Sequence, residues 1–153
     1  MPKKATKTTH SHKAILKHLF DIELIFKWKM PPLTSRKARA GEYIGSGEGK
    51  IKGPKISGTV SWDIFEEREE TLCRSSLLGE IETDDTAKIC FDSRGFFIQP
   101  DKSNVNRWIT SASVHFDTAD QRYKWLNTLL AVWEGEFDME KGRHHYQAYA
   151  PES

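Results

Sequence analysis

The chain has 153 residues, 37% hydrophobic and 29% charged, with a formal net charge of +1. It can bury a core as one domain, and it is too neutral for the long-range attraction on which most nucleic-acid binders rely. Its two cysteines, Cys73 and Cys90, stand in no CxxC spacing, which argues against a disulfide scaffold or a structural zinc cluster and reads as reduced thiols of a cytoplasmic protein.

Residues 1–18 are basic and rich in Thr and His. Lys17 and His18 interrupt the apolar run from Ala14 to Phe20, and no small-residue cleavage site follows, so this segment reads as a disordered basic tail and not as a signal peptide. No stretch approaches the roughly 20 apolar residues of a membrane-spanning helix, and no membrane partner is expected. From Leu19 to Trp28, Phe20, Ile22, Leu24, Phe26 and Trp28 share one parity while Asp21, Glu23 and Lys27 take the other, the mark of a half-buried strand. Met30-Pro31-Pro32 ends it, and residues 33–41 read as a basic loop or poorly ordered edge.

Glycines then crowd the chain at Gly41, Gly45, Gly47, Gly49 and Gly53. Gly45-Ser46-Gly47-Glu48-Gly49-Lys50 fails the phosphate-loop template in its spacing and in the lack of a following helix; bent strands with a turn at Gly53-Pro54 fit better. Ile56, Gly58, Val60 and Trp62 restore the alternation. The charged run Glu66–Glu70 reads as a solvated turn between strands. Thr71–Glu82 alternates loosely, Thr83-Asp84-Asp85-Thr86 reads as a hairpin turn, and Ala87 to Ile98 reads as strand with a break at Gly95. Trp108–Phe116 alternates strictly. Asp117–Asn127 is the one helix-like piece, capped by Asp117 or Thr118, with Tyr123 and Leu126 on one side. Thr128–Phe137 and His144–Ala150 complete the set, with a turn around Lys141-Gly142.

These elements predict an all-β fold, a single antiparallel β-barrel of about 8–9 strands over residues 19–150 with one short helix. A barrel of that size holds side chains or one small ligand inside.

Two blocks carry a resemblance. Gly49-Lys50-Ile51-Lys52-Gly53-Pro54-Lys55-Ile56-Ser57-Gly58 resembles the "G-x-v-x-G-P-x-l-x-G" signature of the DUF3237 family. Phe116-Asp117-Thr118-Ala119-Asp120-Gln121-Arg122-Tyr123-Lys124-Trp125-Leu126-Asn127, with Val132 and Gly135 beyond it, is similar to that family's "F-x-T-x-x-x-R-Y-x-W-L-N…V-x-x-G" block. Thr83-Asp84-Asp85 matches its hairpin and Leu19-Phe20-Asp21-Ile22 its first strand. The resemblance implies a single-domain antiparallel barrel with a central cavity, and no settled activity. Members often carry Asp-x-Arg-Tyr before the Thr-Asp-Asp turn, where Ser76, Leu78 and Gly79 stand here. They often carry Arg-Thr-Ala-Pro before the Phe-x-Thr segment, where Ser111-Ala112-Ser113-Val114 stand here. If those runs line the family's pocket, this pocket is altered, with Arg74 and Arg107 as candidate substitutes.

The candidate ligand-binding residues are Trp62, Arg74, Glu80, Trp108, His115, Trp133 and Glu134. The tryptophans have the parity to form flat apolar walls around an aromatic or lipid-like ligand, or simply to fill the core. Arg74, Glu80 and Glu134 lie among apolar neighbours, and a charge pointing inward would mark a site. His115, with Asp92 or Glu134, could serve as a general base, although a strand histidine is more often exposed. His144 and His145 point to opposite faces of a strand and do not share a metal. The Tyr123-Trp125-Leu126-Asn127 block reads as a helix docked on the barrel more readily than as a pocket rim. Lys50, Lys52 and Lys55 beside Tyr43 suggest single-stranded nucleic acid, against which the net charge and the acidic run count.

The leading functional expectation is a barrel that binds a small apolar or aromatic molecule inside, with no metal or cofactor. The alternatives are a cofactor-independent enzyme (isomerase, cyclase or lyase) using the same cavity, and a protein-interaction module pairing through an edge near residues 33–50. Small barrels often associate through an edge or flat face, so a homodimer is the expected assembly.

Overall fold

Side chains alternate between the inner and outer face along the strands, and the sheet closes on itself. The computed structural model describes residues 15–29 and 42–151. The strands are β1 (Leu16–Lys29), β2 (Glu42–Lys52), β3 (Ser57–Glu69), β4 (Leu72–Thr83), β5 (Lys88–Ile98), β6 (Arg107–Asp117), β7 (Ala131–Asp138) and β8 (Arg143–Pro151). Each pairs antiparallel with its sequence neighbour, and β1 pairs with β8, giving a closed barrel of eight strands. Closure removes sheet edges. From Gly45 onward β2 is paired on both sides, so the edge expected near residues 33–50 is not free within residues 45–50, while Glu42, Tyr43 and Ile44 pair with β3; residues 33–41, like the tail over 1–14, lie outside the described residues.

An up-and-down order gives the barrel two ends. The lower end carries the β2–β3 and β4–β5 turns and the segment between β6 and β7, which includes a 3₁₀ helix, Gln121–Leu126. At the upper end are the β3–β4, β5–β6 and β7–β8 connections. Phe20, Ile22, Ile81, Ile89, Phe91, Val114, Phe116 and Trp133 pack the lower interior, all 4% exposed or less.

Aromatic rings lie over glycines of the adjacent strand. Trp62 on β3 faces Gly47 on β2, where a Cβ would stand 2.6 Å from Trp62 Cζ2, and the indole N–H donates to the Glu48 carbonyl at 2.9 Å. The glycines that suggest a phosphate loop are thus the space that an inward tryptophan needs.

Three expectations about local structure are corrected. β1 starts at Leu16 and not at residue 19, because Leu16–His18 pair with β8. The helical piece is shorter than Asp117–Asn127 and is capped by Asp120, whose carboxylate accepts from the Arg122 N–H at 3.0 Å, since Asp117 still belongs to β6. The run Glu66–Glu70 is not a turn: β3 continues to Glu69, and Glu66 is fully buried. The parity of Trp62 and Ile64 carries Glu66 inward, and the chain reverses only at Glu70 and Thr71.

Candidate functional site

The upper interior differs chemically from the lower. β3 brings Glu66 and Arg68 inward, β6 brings Trp108 and Thr110, and β8 brings His144 and Tyr146. Thr110 and Tyr146 both stand opposite Gly135 of β7, so a bare stretch of wall separates them.

His144 is fully buried and enclosed by rings. It stacks on Phe137 with centroids 4.2 Å apart and planes inclined at 20°, while Phe26, Trp62 and Phe97 lie 5.3, 5.6 and 5.7 Å away. Its Nδ1 is hydrogen-bonded to the Tyr146 hydroxyl. Burial pushes the Tyr146 phenol well above its ordinary value, against the Thr110 hydroxyl; the nearby Glu66 and Cys73 push it the same way as burial. Tyr146 therefore stays protonated and supplies an O–H inside the barrel.

Glu66 is the second buried polar group. Arg68 donates from Nη2 to Glu66 Oε2 at 3.1 Å, and its Nη1 lies 3.6 Å from Met139 Sδ. Its guanidinium lies over the Tyr43 ring at 4.3 Å and near the Trp108 ring at 5.7 Å. The carboxylate has no exposure and the arginine side chain 14%, so the pair extends from the interior towards the mouth. A buried carboxylate is tolerable only with such a partner.

Of the residues expected at a site, Trp62, Trp108 and Trp133 line the interior. Trp133 belongs to the lower half, where it meets Phe91 at 5.6 Å, and it reaches up to Tyr146 at 5.8 Å. Arg74, Glu80, His115 and Glu134 point outward, because Cys73, Ile81, Val114, Phe116 and Trp133 hold the inward parity beside them. His115 faces Asp92 across the outer surface of β5 and β6, away from any interior ligand. Glu80 borders an outer groove of about 610 Å³ over β1–β4, where Lys27 and Glu48 form an ion pair at 3.7 Å. Arg107 is tied to Glu136 on the outside at 2.5 Å, so neither Arg74 nor Arg107 reaches the interior. His144 and His145 do take opposite faces, and the inward one, which does not pair with His145 on a metal, lies in the polar cluster.

A rim groove of about 400 Å³ lies beside Asn104, Arg107, Phe137, Arg143 and His145. Phe137 is among the residues that border this groove, and its ring stacks on His144 inside the barrel.

The residues that carried the family resemblance gather at the lower end. Tyr123 donates to Asp85 Oδ1 at 2.7 Å, Thr83 donates to the same oxygen at 2.5 Å, and Arg122 reaches the Asp85 carbonyl at 2.9 Å. Hydrogen bonds from Thr83 and Tyr123 hold the Asp85 carboxyl below its ordinary value. Asn127 exchanges two hydrogen bonds with the Thr118 backbone, at 2.8 and 2.9 Å, and Leu126 is fully buried beneath. This arrangement locks a plug onto the barrel, in agreement with the docked-helix reading.

No described helix is long and apolar enough to cross a membrane. The family described as "Protein of unknown function (DUF3237)" matches residues 15–150. Among solved structures, a protein with unknown function from Clostridium acetobutylicum superposes with a TM-score of 0.77 at 20% identity, covering 92% of this chain and 98% of that one. A conserved protein of unknown function from Rhodopseudomonas palustris gives 0.77 at 19%, covering 90% and 97%. An enzyme from Penicillium herquei gives 0.60 at 23%, covering 89% and 94%. These likenesses concern the shared barrel fold. No curated protein matches the chain in sequence.

Proposed function

The chain belongs to the DUF3237 family, and from that premise we propose that the upper half of its barrel binds a small, flat, apolar or aromatic molecule bearing at least one hydrogen-bonding oxygen. The observation that carries this reading is the cluster of Glu66, Arg68, Thr110, His144 and Tyr146 held inside a shell of aromatic rings. Polar groups in a core cost stability, and apolar walls with a few convergent polar groups are the composition of a ligand pocket. Entry is by the upper rim, where Phe137 borders the groove and stacks on His144. The proposal includes a cytoplasmic location, supported by two cysteines outside any disulfide, Cys73 buried and Cys90 exposed.

The hydrogen bond between His144 and Tyr146 favours a second reading, a cofactor-independent enzyme of isomerase, cyclase or lyase type. There the Tyr146 oxygen would accept from the His144 Nδ1–H and so orient the imidazole, leaving Nε2 to take a proton from the bound molecule and return it at another position, so that no net proton is gained or lost. That a protein of this fold is described as an enzyme adds support in kind only.

Native mass spectrometry of the protein purified from its own host tests the first reading, with a retained small molecule as the expected result. Tryptophan fluorescence titrated with hydroxylated aromatics should respond in the wild type and lose its response in His144→Phe. Protein that carries nothing, with no fluorescence or thermal response across such a panel, would overturn both readings.

A further inference from the structure

Outside the barrel, β4–β7 present a surface that breaks the alternation rule. Phe96, Ile98 and Ile109 hold outward positions yet are apolar, and they are 47%, 50% and 40% exposed. The registers place them in two neighbouring rows. One row runs Leu72, Ile98, Ile109, Glu136 across β4, β5, β6 and β7; the next runs Arg74, Phe96, Ser111, Glu134. In the second row a cation lies at one end and a carboxylate at the other, with the apolar strip beside and between them. Among the described residues neither Arg74 nor Glu134 forms an ion pair, although Glu67 stands opposite Arg74 in register.

We propose that this face is the contact surface of a homodimer, with a two-fold axis running along the strands between β5 and β6. Such an axis leaves each residue at its own height and exchanges the two sides of the patch. It sets Arg74 of one copy against Glu134 of the other, and Ile98 against the partner's Ile109. Both copies then offer the same self-complementary surface, as a closed two-fold dimer requires. Glu136 at the edge of the patch is already neutralised by its own Arg107 at 2.5 Å, so burial there strands no charge. A sheet facing a sheet in this way is aligned packing, and the curvature of the barrel confines close contact to β5 and β6 while the longer Arg74 and Glu134 side chains reach across from β4 and β7.

Sedimentation equilibrium of the full chain tests the proposal. The wild type should show a concentration-dependent monomer–dimer equilibrium. Arg74→Glu and Glu134→Arg, each placing like charges face to face, should each weaken the dimer by about ten-fold. The double variant Arg74→Glu/Glu134→Arg should return to within about three-fold of wild type, because the exchange restores opposite charges across the axis. All these side chains are on the outer surface, and circular dichroism melts taken at concentrations where every form is monomeric should match the wild type. A wild type that stays monomeric up to about 1 mM, a dimer indifferent to both single reversals, or a double variant no better than the singles would each overturn it.

Discussion

The two halves of this barrel are built from the same strands and differ in what they enclose. Below, aliphatic and aromatic side chains fill the interior, and Leu126 on a short helix seals it with hydrogen bonds to Asp85 and Thr118 nearby. Above, the same inward positions deliver Glu66, Arg68, Thr110, His144 and Tyr146 among aromatic rings. The lower half has the composition of a structure that only needs to stay closed. The upper half keeps a buried charge pair and a buried imidazole, neither of which a core needs.

The largest effect separating the halves should come from splitting the charge pair. Arg68→Met leaves Glu66 buried without its cation and should cost about 3–5 kcal/mol in denaturant unfolding, whereas Glu66→Leu/Arg68→Met should return to within about 1 kcal/mol of wild type. If the single change were silent, the pair would not be the buried element described above. Leu126→Ala should cost about 3 kcal/mol through the cavity left under the plug, while ligand response per folded molecule stays intact. His144→Phe keeps a ring against Phe137 and should cost about 1–2 kcal/mol through the lost Tyr146 hydrogen bond, with the fluorescence response abolished.

The smallest effect belongs to Tyr123→Phe at the lower end, a fall in Tm of about 2–4 °C at neutral pH. Asp85 has a lowered folded pKa, so its hydrogen bonds stabilise the fold above the unfolded value of about 3.9 and are lost as pH falls through the folded value. The Tm gap between wild type and Tyr123→Phe should therefore narrow as melts are taken at pH values falling from the unfolded value through the lowered folded one. A gap that widened on acidification would contradict this assignment.

The barrel was legible because a two-residue rhythm survives along most of the chain, and the lower plug because its residues form one local block from Phe116 to Asn127. The upper site was hidden by rules that are sound on average. A run of charges usually marks solvent, yet Glu66 and Arg68 extend the parity of Trp62 and Ile64, and following that parity one step further would have put both inside. His144 beside His145 reads first as half of a metal pair, although its inward parity with Tyr146, Ala148 and Ala150 is present in the sequence. Arg74 and Glu134 drew attention as charges among apolar neighbours. What the sequence alone could not supply was that some of those neighbours, Phe96, Ile98 and Ile109, face outward as well.

The measurement that bears most directly on the contrast is side-chain NMR of the wild-type protein titrated with 1-naphthol. Ligand in the upper interior should shift the ring resonances of His144, Phe137 and Trp62 while the Leu126 methyl and Tyr123 ring resonances hold still. Shifts confined to the lower end or to the outer face would contradict the account.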